Sequence, residues 1–210
     1  MKLFDAAWAP SPRRVRMYLA EKALNVPRVS VDIRGGAHLA ADFLDINPRG
    51  TLPALQLDDG ELILESSAIC RFFETLHPEP SLFGANPRDV ARIESVLRLV
   101  DGEGYAAAVY AFRNGHPRLA GKALPGCWPE VPQIPALVAR AGLLWRRFLE
   151  TLETRLAEHE WIATDRLSYA DIAAFVTLEF GGVGRLDMGG AGEGVARWRA
   201  AMAARPSAAA

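Results

Sequence analysis

Ser66 and Ser67 follow Glu65 at the head of SSAICRFFETL, a run whose Ile69, Phe72, Phe73 and Leu76 recur at helical spacing. Serines in that place read as a helix start, where main-chain N–H groups lack intrahelical partners and hydroxyls can complete an anion site. On spacing alone Ser66 is equally a simple cap, and Glu65 a solvated charge. Upstream, Arg49 lies in the loop NPRGTLP, and its guanidinium fork suits a carboxylate; a surface arginine is the alternative. Ser11-Pro12 reads as a second helix start, a cap followed by proline in the first turn. Thiol chemistry finds less support. Cys70 falls within an apolar-faced helix and reads as a small buried hydrophobe, and Cys127 lies in a Pro/Gly-rich loop with no second cysteine or histidine at ligand spacing, so no metal is expected. The late glycines of GGVGRLDMGGAGEG give no register of GxGxxG followed by a βαβ unit, which excludes a dinucleotide fingerprint.

These residues need elements to position them. Asn47-Pro48 and Gly50 punctuate a loop, Ala54–Leu57 and Glu61–Leu64 are short apolar-rich runs, and Asp58-Asp59-Gly60 between them is a hairpin signal. Pro53 at the mouth of the first run serves turn geometry, because proline is poorly tolerated inside a ladder. Before the hairpin, residues 2–8 read as a strand, Pro12 to about Leu24 as a helix with Val15, Tyr18, Leu19 and Ala23 on its apolar stripe, Val29, Val31 and Ile33 as an alternating strand, and His38–Ile46 as a short helix. The order is βαβαββα. A proline- and glycine-rich segment, 78–87, then separates residues 1–77 from a helical remainder, 88–210. In that remainder a helix follows Asn86-Pro87, residues 114–135 are broken by five prolines and three glycines, Ile134–Glu158 reads as a long helix with apolar residues at 143, 144, 148, 152 and 156, and Ser168-Tyr169-Ala170-Asp171 opens another with a capping-box pattern.

A chain of 210 residues with half its residues hydrophobic and a net charge of −1 is a globular protein of one large or two small domains. Near-neutral charge gives no support to nucleic-acid or membrane-surface binding. Two cysteines, no signal peptide and no long apolar span make a reducing cytoplasm the expected location.

The run NPRGTLP…ESSAI resembles the glutathione-binding half of the cytosolic glutathione S-transferases, and DRLSYADIAAF and WRAAMAARPS resemble that family's helical half. The resemblance covers nearly the whole chain and is weakest between Gly115 and Gln133. It implies a thioredoxin-like α/β N-terminal domain followed by an all-α C-terminal domain, a cis Leu52–Pro53 bond, and a homodimer. It also implies that main-chain groups beside Leu52 and Pro53 pair with the cysteinyl part of glutathione, while Glu65 and Ser66 hold its γ-glutamyl end. The chemistry agrees: a carboxylate accepts from an ammonium, and a hydroxyl with helix N–H groups takes a carboxylate. His38 and Arg49 are candidates for the remaining carboxylate, with a solvated histidine and a surface arginine as alternatives.

In the family, catalysis rests on lowering the thiol pKa of glutathione with a hydrogen bond and the positive end of the first helix, because the thiolate is the nucleophile. In serine- and cysteine-type members the donor stands five positions before the first arginine of an RVR-like triplet; counting back from Arg14 reaches Ala9, which has neither hydroxyl nor thiol. The nearest hydroxyl is Ser11, following Pro10. Ser11, helped by N–H groups of the first turn, is the expected catalytic residue, and a helix cap is its alternative. Arg13 and Arg14 read as exposed charges, Tyr18 as packing, and Trp8, Tyr105, Tyr110, Phe112 and His116 either as the lining of an apolar acceptor pocket or as core. The implied function is conjugation of glutathione, as co-substrate, to a small and apolar electrophile. The alternatives are a glutathione-dependent peroxidase or disulfide reductase, and a non-catalytic binding protein on the same fold. The absence of a cysteine at position 9 argues against a mechanism that passes through a protein mixed disulfide.

Overall fold

The computed structural model describes residues 1–189 and 191–210; Gly190, within the late glycine run, lies outside the described residues. Two compact units are present, one of Met1–Pro80 with Leu124–Pro129 and Ala209–Ala210, the other of Ser81–Ala123 with Glu130–Ala208.

The first unit is built on a four-stranded sheet in the order β2-β1-β3-β4, with β1 at Lys2–Asp5, β2 at Arg28–Ser30, β3 at Ala54–Gln56 and β4 at Leu62–Leu64. β1 runs parallel to β2 and antiparallel to β3, and β3 pairs antiparallel with β4. Register follows the apolar pattern. Phe4 stands opposite Ala54, and both join Val31 and Phe43 in one buried cluster, with Ile46, Leu52, Leu62 and Leu64 packed on it. Leu3 stands opposite Leu55, so this pair points to the other face, as the two-residue repeat of a strand requires. Three helices complete the unit: α1 at Pro10–Glu21, α2 at Ala41–Leu44 and α3 at Ser66–Leu76, with a 3₁₀ turn at Ala37–Leu39 before α2. The βαβαββα order is therefore present, and the one helix expected over 38–46 is a 3₁₀ turn and a short α-helix.

α1 and α3 pack together over a buried polar cluster: Lys22 Nζ lies 2.9 Å from the Glu74 carboxylate, and Tyr18 donates to the same carboxylate at 2.6 Å. Tyr18 is thus a packing residue, as its place in the helix implies.

The second unit is helical. α4 (Pro87–Leu99) is capped by Asn86, whose side chain accepts from the Asp89 N–H at 3.0 Å. It runs through a π-helical stretch, Val100–Tyr105, into α5 (Ala106–Gly115). α6 spans Pro135–Leu156, α7 Tyr169–Val183 and α8 Glu193–Ala203. The buried stripe of α6 is Ala141, Trp145, Phe148, Leu149, Leu152 and Leu156; Leu143, expected on it, is 61% exposed, because the stripe turns with Trp145 rather than with the leucine pair. Two glycines let rings approach backbone. A side chain at Gly104 would begin 2.7 Å from the Phe148 ring, and one at Gly181 would begin 2.2 Å from that of Trp145.

α7 is buried along most of its length, and its capping box forms as the Ser168–Asp171 spacing implies. Asp171 also accepts from the Ile162 N–H at 3.0 Å and the Trp198 indole at 3.0 Å, so one carboxylate joins the start of α7, the chain before it and α8. Burial pushes the Asp171 carboxyl above its usual range, and the hydrogen bonds from Ile162, Ser168 and Trp198 act in the opposite sense. Among the described residues, no helix is long and apolar enough to cross a membrane.

Candidate functional site

The loop from Asn47 to Pro53 is shaped by a side chain that the sequence marks only as punctuation. Asn47 is fully buried; its amide donates to the Thr51 carbonyl at 2.8 Å, its Oδ1 accepts from the Arg49 N–H at 3.2 Å, and its own carbonyl accepts from the Gly50 N–H at 2.9 Å. An Asn-Pro pair opening a loop is the signal that identifies it, since asparagine closes such turns onto its own main chain. Leu52–Pro53 is a cis bond, as expected, and it delivers the chain directly into β3. Glu79–Pro80 is cis as well. Pro53 is buried, Leu52 half-buried and Arg49 exposed.

β4 leads into α3 through Glu65, which occupies the cap position at φ +70° and ψ 128°; neither serine is the cap. The cap reading of Ser66 is therefore replaced: Ser66 is the first helical residue and is only 7% exposed. The Ile69 N–H closes the first turn onto the Glu65 carbonyl at 3.0 Å. The N–H groups of Ser66, Ser67 and Ala68 have no helical carbonyl ahead of them, which is the arrangement that receives anions. A non-glycine residue at positive φ costs about 1–3 kcal/mol. Glycine at this position would remove that cost.

At the other helix start the sequence is corrected by two residues. α1 begins at Pro10, its cap position is Ala9, and no side chain caps it. The cap reading of Ser11 fails, because proline at position 10 serves the first helical position as well as Pro12 would. Ser11 lies in the first turn, half-buried, between two prolines. The Ala9 N–H is taken by the Ala6 carbonyl at 3.0 Å and the Arg13 N–H by the Ala9 carbonyl at 3.2 Å, while Pro10 and Pro12 carry no N–H. Pro10 and Pro12 thus remove two of the first-turn N–H donors expected there. Ala9 is 7% exposed, which leaves no solvated hydroxyl or thiol where the serine- and cysteine-type pattern puts one. Arg14, expected to be exposed, is 4% exposed, because it falls on the same helix face as Val15, Tyr18 and Leu19.

His38 sits in the 3₁₀ turn Ala37–Leu39, half-buried. The backbone brings this turn against the loop: a side chain at Gly50 would begin 3.1 Å from the His38 carbonyl and 2.9 Å from a Leu39 methyl. The short residues Asn47–Pro53, the His38 turn and the segment Leu124–Pro129 thus meet in the first unit. Trp8 is exposed in the β1–α1 loop with the Arg34 guanidinium 5.0 Å from its ring centre. Tyr105 and Phe112 pack against Phe180, at ring-centre distances of 6.0 and 5.4 Å, and Phe112 lies 5.7 Å from His116, so these residues form an aromatic cluster of the second unit. Cys70 is buried and Cys127 exposed, and neither forms a disulfide.

The comparisons with known proteins point one way. Residues 8–76 match the family description "Glutathione S-transferase, N-terminal domain", and residues 118–206 match "Glutathione S-transferase, C-terminal domain". The chain is 31% identical over 213 residues to glutathione S-transferase 2 of Saccharomyces cerevisiae, covering 99% of this chain and 87% of that protein. Its fold superposes with a TM-score of 0.89 on a glutathione S-transferase domain-containing protein of Marinobacter aquaeolei, at 34% identity and 99% coverage of both chains. A sphingomonad glutathione S-transferase, solved in complex with glutathione, matches with a TM-score of 0.76 at 27% identity, over 99% of this chain and 94% of that one. With the βαβαββα unit, the cis-proline loop and the helical unit in place, the chain belongs to the glutathione S-transferase family.

Proposed function

We propose that the protein binds reduced glutathione on its first unit, lowers the pKa of the thiol, and adds the thiolate to a small and apolar electrophile. The observation that carries the reading is the head of α3, where Glu65 is held at positive φ beside Ser66, a nearly buried residue that opens the helix. A carboxylate, a hydroxyl and three main-chain N–H groups at one helix end match the ammonium and carboxylate of an amino-acid terminus. The main chain at Leu52 and Pro53 offers edge groups for a peptide-like ligand, and Arg49 and His38 supply donors for a second carboxylate.

Ser11 is the catalytic residue in this reading. Its hydroxyl and its N–H both belong to the first turn of α1, and the helix adds the positive end of its dipole. A thiol in that field ionises at lower pH, and the thiolate so formed attacks the electrophile; the remaining gain is proximity. The assembly proposed is a homodimer, which light scattering of the purified protein tests. The activity itself is tested by following thioether formation from glutathione and a panel of aryl halides, epoxides and enones. Thioether formation with none of them, together with turnover of hydroperoxides or disulfides, would replace conjugation by the reductase chemistry.

A further inference from the structure

Leu124–Pro129 lies far along the chain from the cis-proline loop, yet it belongs to the same compact unit. Its attachment is specific. The Cys127 N–H donates to the Arg49 carbonyl at 2.8 Å. Gly126, at φ +91°, lies so close that a side chain there would begin 2.5 Å from that carbonyl oxygen and 2.8 Å from the Thr51 methyl. On the loop side, Gly50 is at φ +60°, and a side chain there would begin 3.2 Å from the Cys127 nitrogen. Two glycines in left-handed conformation thus pack main chain against main chain around one hydrogen bond, a fit that any Cβ would break. The segment is closed on itself by the Trp128 indole, which donates to the Pro125 carbonyl at 2.9 Å.

We infer that Leu124–Pro129 is a clasp on the glutathione-binding loop, and that Gly126 and Cys127 are positioning residues for glutathione. The inference rests on the glutathione reading above. Asn47 holds the loop from inside, through Thr51 and Arg49. The clasp holds it from outside, at the carbonyl between Pro48 and Gly50 and against the His38–Leu39 turn. With the clasp displaced, the loop loses its outer anchor, and the groups at Arg49, Leu52 and Pro53 spend less time in the arrangement a ligand needs. Apparent affinity then falls in proportion to that fraction of time. The contact is made by main-chain groups, so the Cys127 thiol takes no part. Coupling of this kind is reciprocal: if the clasp favours glutathione, glutathione must favour the clasp.

The test compares Gly126→Ala with one control, Gly121→Ala, by calorimetry with reduced glutathione, steady-state kinetics and amide hydrogen exchange. Gly126→Ala should raise the glutathione Kd and KM about tenfold with kcat at saturating glutathione within about twofold, and should speed exchange over residues 47–53. Loss of folded protein alone would instead lower kcat at unchanged KM. Gly121→Ala shares the left-handed strain, at φ +74°, but the nearest atoms it would meet belong to the Glu130 side chain, and it should leave affinity unchanged. One further measurement needs no variant: exchange at the Cys127 amide should slow when glutathione is added to the wild-type protein. Wild-type affinity in Gly126→Ala, an equal loss in Gly121→Ala, or a Cys127 amide indifferent to glutathione would each overturn the clasp. A wild-type protein that takes no glutathione would instead overturn the glutathione reading, and this role with it.

Discussion

The Arg16 guanidinium donates to the Asp5 carboxylate at 2.6 Å, and both side chains are buried. The same guanidinium donates to the carbonyls of Ala7, at 2.6 Å, and Ala6, at 3.3 Å. One arginine on α1 therefore grips the end of β1 and the chain just before Ala9 and Ser11. Truncating one partner of a buried pair leaves the other charged and desolvated, which costs about 3–5 kcal/mol. Arg16→Ala should lower the urea midpoint accordingly, and Asp5→Ala combined with it should cost less than the two single changes added together. Strict additivity would show that the pair is not coupled.

Glu65→Gly separates stability from binding. Glycine removes the positive-φ cost at position 65, about 1–3 kcal/mol, against about 0.5–1 kcal/mol of extra chain entropy lost on folding. The variant should melt no lower than the parent while its glutathione affinity falls at least tenfold. A lower melting temperature with unchanged affinity would make Glu65 structural.

Ser66→Ala tests the hydroxyl beside it. Because Ser66 is not the cap of α3, its removal should leave thermal stability nearly unchanged. A hydrogen bond to a charged group is worth about 1.5–3 kcal/mol, so glutathione affinity should drop at least tenfold. Unchanged affinity in calorimetry removes Ser66 from the site.

Much of the frame is written in local chemistry. Asp58-Asp59-Gly60 between two apolar runs specifies the β3–β4 hairpin, and the apolar spacing after Ser66 specifies α3. The cis bond at Leu52–Pro53 came from the family resemblance rather than from any local rule. Other features depend on contacts that no local pattern encodes. Pro-Ser-Pro at 10–12 allows a helix to start at either proline, and tertiary packing selects the first, which converts Ser11 from a cap into a first-turn residue. Arg14 is polar in sequence but shares a helix face with Tyr18. Glu65 gives no sign in its residue type of the backbone angle it adopts, and Leu124–Pro129 reveals its place only through Cys127 and Arg49, which lie far apart in the chain.

Glu153 gives the second unit a defined response to acid. Its carboxylate oxygens accept from the N–H groups of Gly194 and Val195, each at 2.9 Å, so α6 caps the start of α8. The Val195 hydrogen bond foremost, then those of Gly194 and Gly192 and the charge of Arg197, hold the Glu153 carboxyl below its usual value of 4.5. A depressed folded-state pKa means that the unfolded chain takes up its proton first as pH falls. The stabilisation is full above the unfolded value and is lost as pH drops through the folded one. Glu153→Gln should therefore flatten that part of the acid limb of stability against pH, with little change in its slope above pH 6 or so. An acid limb identical to that of the parent would contradict the capping role.

Ser11→Ala addresses catalysis. Loss of the hydroxyl should raise the pKa of bound glutathione's thiol, read from thiolate absorbance against pH, while glutathione affinity changes little. Removing one such donor to a developing or resident anion costs about 2.7–4 kcal/mol in well-organised sites, so a shift of at least one pH unit is expected. A titration curve superimposable on the parent's would leave the Ser11 N–H and the helix dipole as the activating groups.

The central claim is glutathione binding at the head of α3 and the cis-proline loop, and calorimetric titration of the purified protein with reduced glutathione and then with its disulfide tests it most directly. Saturable one-site binding of the reduced form, tighter than the disulfide and weakened by Ser66→Ala, is the result predicted. Tighter binding of the disulfide would turn the account toward reductase chemistry. Heat from neither form, with neither competing against the other, would contradict it.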